Sequence, residues 1–92
     1  MNKLINWFEI DEKEYMWYIL QGYEISVDDQ EIAWYLNGKY HRTDGPAIEY
    51  RNGSHYWFLN GKLHRTDGPA IEHRDGTCSW YLNGVNYTER VL

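Results

Sequence analysis

The chain has 92 residues, a net charge of −5 and an aromatic content of 17%, with five Trp and nine Tyr. A chain of this length forms one small domain, and so aromatic a composition excludes a disordered one. The acidic balance argues against partners such as nucleic-acid phosphates or anionic lipid, because both need clustered Lys and Arg. We therefore expect a single domain over residues 1–92, with no nucleic-acid or membrane partner.

Cysteine content and the apolar runs indicate the compartment. Cys78 is the single cysteine, so an internal disulfide is excluded, which fits a reducing cytosol. The apolar start is interrupted by Glu9 and Asp11 before it reaches the length of a signal peptide. The longest apolar run, Tyr15–Leu20, is too short to span a membrane. The sequence predicts a cytoplasmic protein, in the cytoplasm of the host cell if the protein is viral.

The first third of the chain, residues 1–33, is acidic. Residues 1–31 carry a net charge of −6, whereas residues 32–92 carry +1. Alignment on tryptophan divides this part into two degenerate hairpin units, Phe8–Trp17 and Ile25–Trp34. In these units Ile10 is expected to pair with Tyr15, and Val27 with Ile32. On this interpretation residues 7–34 contain no helix.

The remainder, residues 34–92, is a repeat of 23 residues. Trp34, Trp57 and Trp80 stand 23 residues apart, and each begins a segment that continues to Leu-Asn-Gly. The nine residues His41–Glu49 recur unchanged as His64–Glu72. A fixed period in this range marks a repeat architecture. We therefore predict an all-β fold, an antiparallel meander of tandem β-hairpin repeats.

The turn sequences predict the strand register. Asn-Gly and Asp-Gly between alternating runs favour two-residue hairpin turns. A two-residue turn at Asn52-Gly53 places Ile48 opposite Trp57, and one at Asn60-Gly61 places Trp57 opposite His64. The Ile–Trp–His trios would then form the core on one face of the sheet. The same arithmetic predicts the pairs Ile25–Trp34, Tyr35–Tyr40, Tyr50–His55, Phe58–Leu63, Ile71–Trp80, His73–Cys78 and Tyr81–Asn86.

The repeated segment Thr43-Asp44-Gly45-Pro46 is expected to connect the hairpins. Gly45 permits backbone conformations denied to other residues, and Pro46 suits the first position of a strand. Asp44 and its repeat Asp67 are interpreted as turn residues that bind local amides.

These residues resemble a known family. The pattern W-x-x-x-G-x-x-H, followed by a Gly-containing loop and a D/N-G turn, is similar to MORN (membrane occupation and recognition nexus) repeats, particularly their variants. It is carried by Trp34, Gly38, His41, Gly45, Asn52 and Gly53, and again by Trp57, Gly61, His64, Gly68, Asp75 and Gly76. The HRTDGPA segment departs from the usual shorter H-G-x-G and resembles tandem repeats of phage and giant-virus proteins. The resemblance implies hairpins stacked into an elongated, twisted sheet that serves as an interaction platform. The family's lipid binding is not carried over, because the basic patches are missing.

Catalytic and metal-binding patterns are weak. His73 and Cys78 could begin a metal site, but zinc needs three or four ligands with matched spacing. His41, Thr43 and Asp44 contain the ingredients of a triad. They recur identically in the next repeat, whereas a nucleophile with an oriented base is normally singular. We predict no catalytic residue, no metal and no cofactor.

Two surface features remain as candidate sites. The first is an apolar ladder on the face opposite the tryptophans, formed by Tyr35, Tyr40, Phe58, Leu63 and Tyr81. Such a patch marks a contact surface, unless the sheet curls or a terminal segment covers it. The second is the acidic set Asp11, Glu12, Asp28 and Asp29 at the expected N-terminal hairpin tips. These residues form either a solvated charge cluster or a knob that docks in a basic groove of another protein.

The sequence therefore predicts a non-catalytic, protein-binding repeat module. Its most specific form is a small phage-encoded inhibitor of a host defence protein, for example a nucleic-acid-binding nuclease. The alternatives are a structural module that self-associates through the ladder into a dimer or filament, and a small-ligand sponge with a pocket between protomers.

Overall fold

A computed structural model describes residues 2–91 of the chain. Strands account for 42% of the residues and pair antiparallel, so the predicted all-β class is confirmed. The molecule measures 42 × 27 × 19 Å along its principal axes. The strands are β1 (Asn2–Ile5), β2 (Phe8–Asp11), β3 (Tyr23–Val27), β4 (Glu31–Leu36), β5 (Lys39–Tyr40), β6 (Ile48–Tyr50), β7 (His55–Tyr56), β8 (Phe58–Leu59), β9 (Lys62–Leu63), β10 (Ile71–Glu72), β11 (Cys78–Ser79), β12 (Tyr81–Leu82) and β13 (Val85–Asn86); the helices are α1 (Glu12–Leu20) and α2 (Thr88–Val91).

The main sheet of the fold has seven strands. Its strand order is β11-β10-β7-β6-β4-β3, with β5 paired to the end of β4. The hairpins β8–β9 and β12–β13 form two-stranded sheets of their own. Backbone hydrogen bonds connect these hairpins in series, from Gly61 N–H to the Tyr40 carbonyl at 2.9 Å and from Gly84 N–H to the Leu63 carbonyl at 2.8 Å. The first two repeats therefore contribute two strands each to the main sheet, β6–β7 and β10–β11, and the hairpins β8–β9 and β12–β13 follow β5 in a separate row.

The prediction that residues 7–34 contain no helix is wrong. Asp11 ends β2 and caps α1, because its carboxylate accepts hydrogen bonds from the backbone N–H groups of Lys13 and Glu14. The helix ends before Gly22, which takes a left-handed conformation with φ of 92°. Tyr15 therefore lies in a helix instead of pairing with Ile10, whose strand partner is Lys3. The first unit is the hairpin β1–β2 followed by α1.

Two turn types explain which register predictions succeed. Asn37, Asn60 and Asn83 have φ near 50° and each is followed by a glycine with positive φ, as two-residue turns require. The pairs Tyr35–Tyr40, Phe58–Leu63 and Tyr81–Asn86 are accordingly confirmed. Ile25–Trp34 and Val27–Ile32 are confirmed in the acidic part.

The predicted register at the other two turns is wrong by one residue. At the first, the Tyr50 N–H donates to the Ser54 carbonyl at 2.9 Å, and only Gly53 has a positive φ. This is a three-residue loop with a glycine bulge, and the hairpin at Gly76 repeats it. Ile48 consequently faces Tyr56 instead of Trp57. His55 faces Glu49, whereas the predicted partner of His55 was Tyr50. Likewise, Ile71 faces Ser79 instead of Trp80, and Cys78 faces Glu72 instead of His73.

The one-residue difference changes the composition of both faces. Cross-strand partners share a face, so Ile48 and Ile71 lie with Ala33 on the face opposite Trp34. The trios predicted as a core therefore exist at Ile25–Trp34, but not at Ile48 or Ile71.

The main core surrounds Trp34 in the N-terminal part. Trp34 and Ile32 are fully buried, together with Tyr18, Tyr23 and Ile10. Phe8 packs edge-on against the Trp34 ring, with the centroids 5.9 Å apart. The Trp34 indole N–H has no acceptor within residues 2–91, so apolar contact and ring packing hold this side chain. The acidic first third of the chain thus covers Trp34.

Candidate functional site

The repeated HRTDGPAIE segment is organised around its arginine. The Arg42 guanidinium lies 4.0 Å over the Trp34 ring and donates to the Asp44 carboxylate, the Pro46 carbonyl and Glu49. Its distances to these three acceptors are 3.2, 3.2 and 3.4 Å. In the next repeat Arg65 lies 3.8 Å over Trp57 and binds Asp67, Pro69 and Glu72 in the same way. This motif therefore stabilises each connection by stacking and charge-assisted hydrogen bonds.

The glycine of this segment provides space for the arginine. The φ of Gly45 is not positive, so this glycine is not required for a left-handed backbone. A Cβ atom built there would lie 3.0 Å from the Arg42 guanidinium carbon, and one on Gly68 would lie 2.9 Å from that of Arg65. A side chain at either glycine would therefore crowd the stacked arginine.

The two repeated histidines connect consecutive hairpins. His41 Nδ1 accepts a hydrogen bond from the Asn60 N–H at 3.0 Å, and His64 Nδ1 accepts one from Asn83 at 3.0 Å. The predicted position opposite tryptophan is confirmed for both histidines, because the His41 N–H donates to the Trp34 carbonyl and the His64 N–H to the Trp57 carbonyl. The Asn-Gly turn and the histidine therefore act together, because the left-handed Asn60 presents its N–H to the ring.

In the first repeat the motif also binds a tyrosine from α1. The Tyr18 hydroxyl donates to Asp44 at 2.5 Å and accepts from Arg42 Nε at 3.1 Å. Burial, followed by the hydrogen bond to Asp44, raises the pKa of Tyr18 to about 12. Burial opposes ionisation of Asp44, but the hydrogen bonds and charge of Tyr18 and Arg42 outweigh it and lower the Asp44 pKa. The site holds a neutral phenol against an ionised carboxylate.

A row of charges crosses the tryptophan face. His55 lies between Glu49, at 4.0 Å, and Glu72, at 3.7 Å, and each glutamate also binds an arginine. Burial raises the pKa of Glu49, while Arg42 and His55 oppose that effect. The row spans strands β6, β7 and β10, so it connects the two repeats electrostatically.

The structure brings most of the predicted ladder together. Tyr35 stacks on Tyr40 with ring centroids 4.8 Å apart, and Tyr40 contacts Phe58 at 5.0 Å. Leu63 pairs with Phe58, while Tyr81 lies in the next hairpin, where its carbonyl accepts from the Arg65 N–H. All five side chains are half-buried. A hydrogen bond with Tyr40, and then burial, raises the pKa of Tyr35 to about 12.

The predicted acidic residues occupy two places. Asp28 and Asp29 lie in the turn before β4, where the Trp7 indole donates to the Asp28 carbonyl and Asn6 contacts Asp29. Asp11 and Glu12 lie where β2 ends and α1 begins. This point is roughly 10 Å along β2 from Phe8, the first residue of the strand.

Two of these four acids have structural roles. Asp11 caps the helix, and the Asp28 carboxylate accepts from the N–H groups of Gln30 and Glu31. These two backbone hydrogen bonds lower the pKa of Asp28. Glu12 and Asp29 are the acids of the set that remain exposed without such a backbone role among the described contacts.

An exposed apolar surface on α1 was missed by the sequence analysis. Met16, Trp17 and Leu20 are 48%, 50% and 76% exposed. Together with Asp11, Glu12 and Lys13 they line an open depression of about 670 Å³. These six residues are called the helix patch below. Their i, i+4 spacing from Glu12 to Leu20 would have revealed the patch if the segment had been assigned as a helix.

Residues 2–91 bear on metal binding, on the suggested triad and on membrane spanning. The described residues include no group of three or more His, Cys, Asp or Glu side chains arranged to hold a metal ion. His41, which belonged to the suggested triad, uses Nδ1 to accept the Asn60 N–H, and Asp44 binds Arg42. Neither helix in residues 2–91 has the length and apolar character needed to cross a membrane.

Comparisons with known proteins provide no family assignment. No family model, no curated protein and no solved structure matches the chain. Function is therefore inferred from the surfaces described above.

Proposed function

We propose that this protein is a non-catalytic module that binds another protein through its acidic N-terminal part. The observation that supports this function is the helix patch, in which exposed Trp17 and Leu20 lie beside Asp11 and Glu12. Large apolar side chains in contact with water, rimmed by charge, are typical of interaction surfaces.

The charge distribution indicates the chemistry of the partner. Residues 1–31 carry a net charge of −6, and the helix patch begins with the carboxylates of this region. A partner with an apolar contact and a basic rim would complement this surface and be attracted to it over distance. As the specific form, we propose inhibition of a host nucleic-acid-binding defence protein by a phage-encoded module. The resemblance of HRTDGPA to viral repeats supports that origin.

The first experiment is capture of a partner from bacterial lysate at low and moderate salt, using wild type and matched variants. Met16→Ser with Leu20→Ser should abolish capture, because these side chains supply the apolar contact. The control is Val85→Ser, which removes an apolar side chain that is 67% exposed on β13. Equal capture by both variants would contradict the helix patch as the binding surface.

Charge reversal needs residues that do not support the fold. Glu12→Lys with Asp29→Lys is preferable to reversal of Asp11 and Asp28, since those carboxylates accept backbone hydrogen bonds. We expect the reversal to weaken a salt-sensitive complex, whereas Glu89→Lys, in α2, should leave it unchanged. Retained binding by the double reversal would reject docking through acidic residues.

Self-association through the ladder is the second candidate function. It is favoured by the continuous half-buried stack of Tyr35, Tyr40 and Phe58. Light scattering of the purified protein distinguishes the two functions. A defined oligomer that Phe58→Ser and Tyr81→Ser dissociate without loss of folding would establish the structural module instead.

A further inference from the structure

The second repeat presents a copy of the surface that binds Tyr18 in the first. Around Trp34, Tyr18 is 2% exposed and contacts Arg42, Asp44 and the indole ring. In the second repeat the equivalent residues are Trp57, Leu59, His64, Arg65, Thr66 and Asp67. They form one wall of an open groove of about 600 Å³, and the Arg42–Pro46 loop forms the other.

The equivalence extends to the geometry of the polar groups. Arg65 Nε lies 2.9 Å from Asp67 Oδ1, as Arg42 Nε lies 3.2 Å from Asp44 Oδ1. Both guanidinium groups are held over their tryptophan rings, at 3.8 and 4.0 Å. The Asp67 side chain is 83% exposed, against 64% for Asp44. The counterparts of the donor and acceptor that bind the Tyr18 hydroxyl are therefore preorganised in the groove, and the Asp67 carboxylate is accessible to solvent.

We propose that this groove binds a tyrosine side chain of a partner protein, with its ring against Trp57 and Leu59 and its hydroxyl between Arg65 and Asp67. The ligand must combine an apolar ring with a neutral hydroxyl, because the wall offers both an indole and a carboxylate acceptor. Tyr18 itself is buried in the first site, so it is not the ligand of the second. The groove shares no residue with the helix patch and does not depend on the function proposed for that patch.

The test uses N-acetyl-tyrosinamide as the probe and N-acetyl-phenylalaninamide as its matched control. Both are titrated into the full-length protein while the indole N–H signals of the tryptophans and the Nε–H signals of the arginines are followed by NMR. For so small a ligand we expect a Kd on the order of 1 mM. Trp57 and Arg65 signals should shift, the buried Trp34 signal should stay, and the phenylalanine probe should bind at least about tenfold more weakly.

A variant tests the carboxylate. Asp67→Asn should weaken the tyrosine probe about tenfold or more, whereas Asp75→Asn, an equal charge change in an exposed turn, should leave its affinity unchanged. Asp67 is exposed, so its variant is expected to fold, and in the absence of probe its spectrum should differ from wild type only near Arg65, whose Nε–H donates to that carboxylate. Equal binding of both probes, shifts confined to the Tyr35–Phe58 surface, or no shift up to the solubility limit would overturn the proposal. If Asp67→Asn does not fold, the discrimination between the two probes by wild type decides the question alone.

Discussion

The surroundings of Trp34 and Trp57 differ although the two repeats share the segment HRTDGPAIE. Trp34 is fully buried beneath Phe8 and Tyr18, whereas Trp57 is half-buried beside an open groove. The arginine stack and its acceptors are the same in both repeats. Thus the motif builds each unit, and the preceding segment decides whether the tryptophan becomes core or surface. A covering segment thus changes the burial of an identical sequence.

The largest expected effect is a difference in stability between variants of Trp34 and Trp57. Trp34→Ala should lower the free energy of unfolding by about 3–5 kcal/mol, because it leaves a cavity in the main core. Trp57→Ala should cost roughly 1–3 kcal/mol, since part of that ring is already in contact with water. Urea unfolding followed by far-UV circular dichroism measures both values. Equal losses would show that the two repeats contribute alike to stability and would contradict the comparison.

Removal of the Tyr18 hydroxyl oxygen tests the polar part of the contact between α1 and the first repeat. Tyr18→Phe keeps the ring but leaves Asp44 without the phenol donor, so we expect a loss of about 1.5–3 kcal/mol. The matched variant is Tyr15→Phe, on the same helix, whose ring is only half-buried and faces Lys3. If Tyr18→Phe lowered the free energy of unfolding no more than Tyr15→Phe, apolar packing alone would hold the helix in place.

The same hydroxyl predicts a dependence on alkaline pH. The pKa of Tyr18 is raised to about 12 in the folded protein, against about 10 in the unfolded chain. The folded state therefore holds the proton more tightly, and its contribution to stability is full below pH 10 and is lost as pH rises toward 12. Thermal unfolding between pH 9 and about 12 should show a steeper decline for wild type than for Tyr18→Phe. Parallel declines would assign the alkaline loss to other tyrosines.

The smallest effect concerns the helix that carries Tyr18. Asp11→Ala should cost about 1 kcal/mol, because the N–H groups of Lys13 and Glu14 lose their acceptor. Asp29→Ala is the control, since that carboxylate accepts only a 3.5 Å contact from Asn6. Backbone chemical shifts of residues 12–20 should report fraying in the first variant alone. Identical stabilities would show that packing of Tyr18 holds the helix without its cap.

The sequence contains local signals for the helix, but they conflict with the alignment of Trp17 on the repeat tryptophans. Asp11 before Glu12 and Glu14, and Gly22 after Leu20, are the residues expected at the ends of a helix. Alignment on Trp17 instead assigned a strand to this segment. The exposed surface of Met16, Trp17 and Leu20 was missed for the same reason, because helix and strand periods place different residues together.

The register of the Gly53 and Gly76 turns could not be read from the dipeptides. Asn-Gly and Asp-Gly suit both a two-residue turn and a three-residue loop with a glycine bulge. Here the longer loop is stabilised by neighbours, since the Ser54 hydroxyl accepts from the Arg74 N–H at 3.0 Å and the Arg51 N–H donates to the Gln30 carbonyl at 2.7 Å. These contacts join residues 20 or more positions apart, so a local pattern does not contain them.

The sequence alone determined the all-β class, the two-residue Asn-Gly hairpins and most of the aromatic ladder, because alternation and turn chemistry act between near neighbours. It also indicated the histidines opposite Trp34 and Trp57, but not that their rings bind the following hairpin. Only the tertiary structure decided that the acidic segment covers Trp34, that Tyr18 binds Arg42 and Asp44, and that the same pair in the second repeat stays open. The physical reason is that burial and hydrogen-bond partners depend on which distant segment arrives at a surface, and identical repeats present identical surfaces to different neighbours.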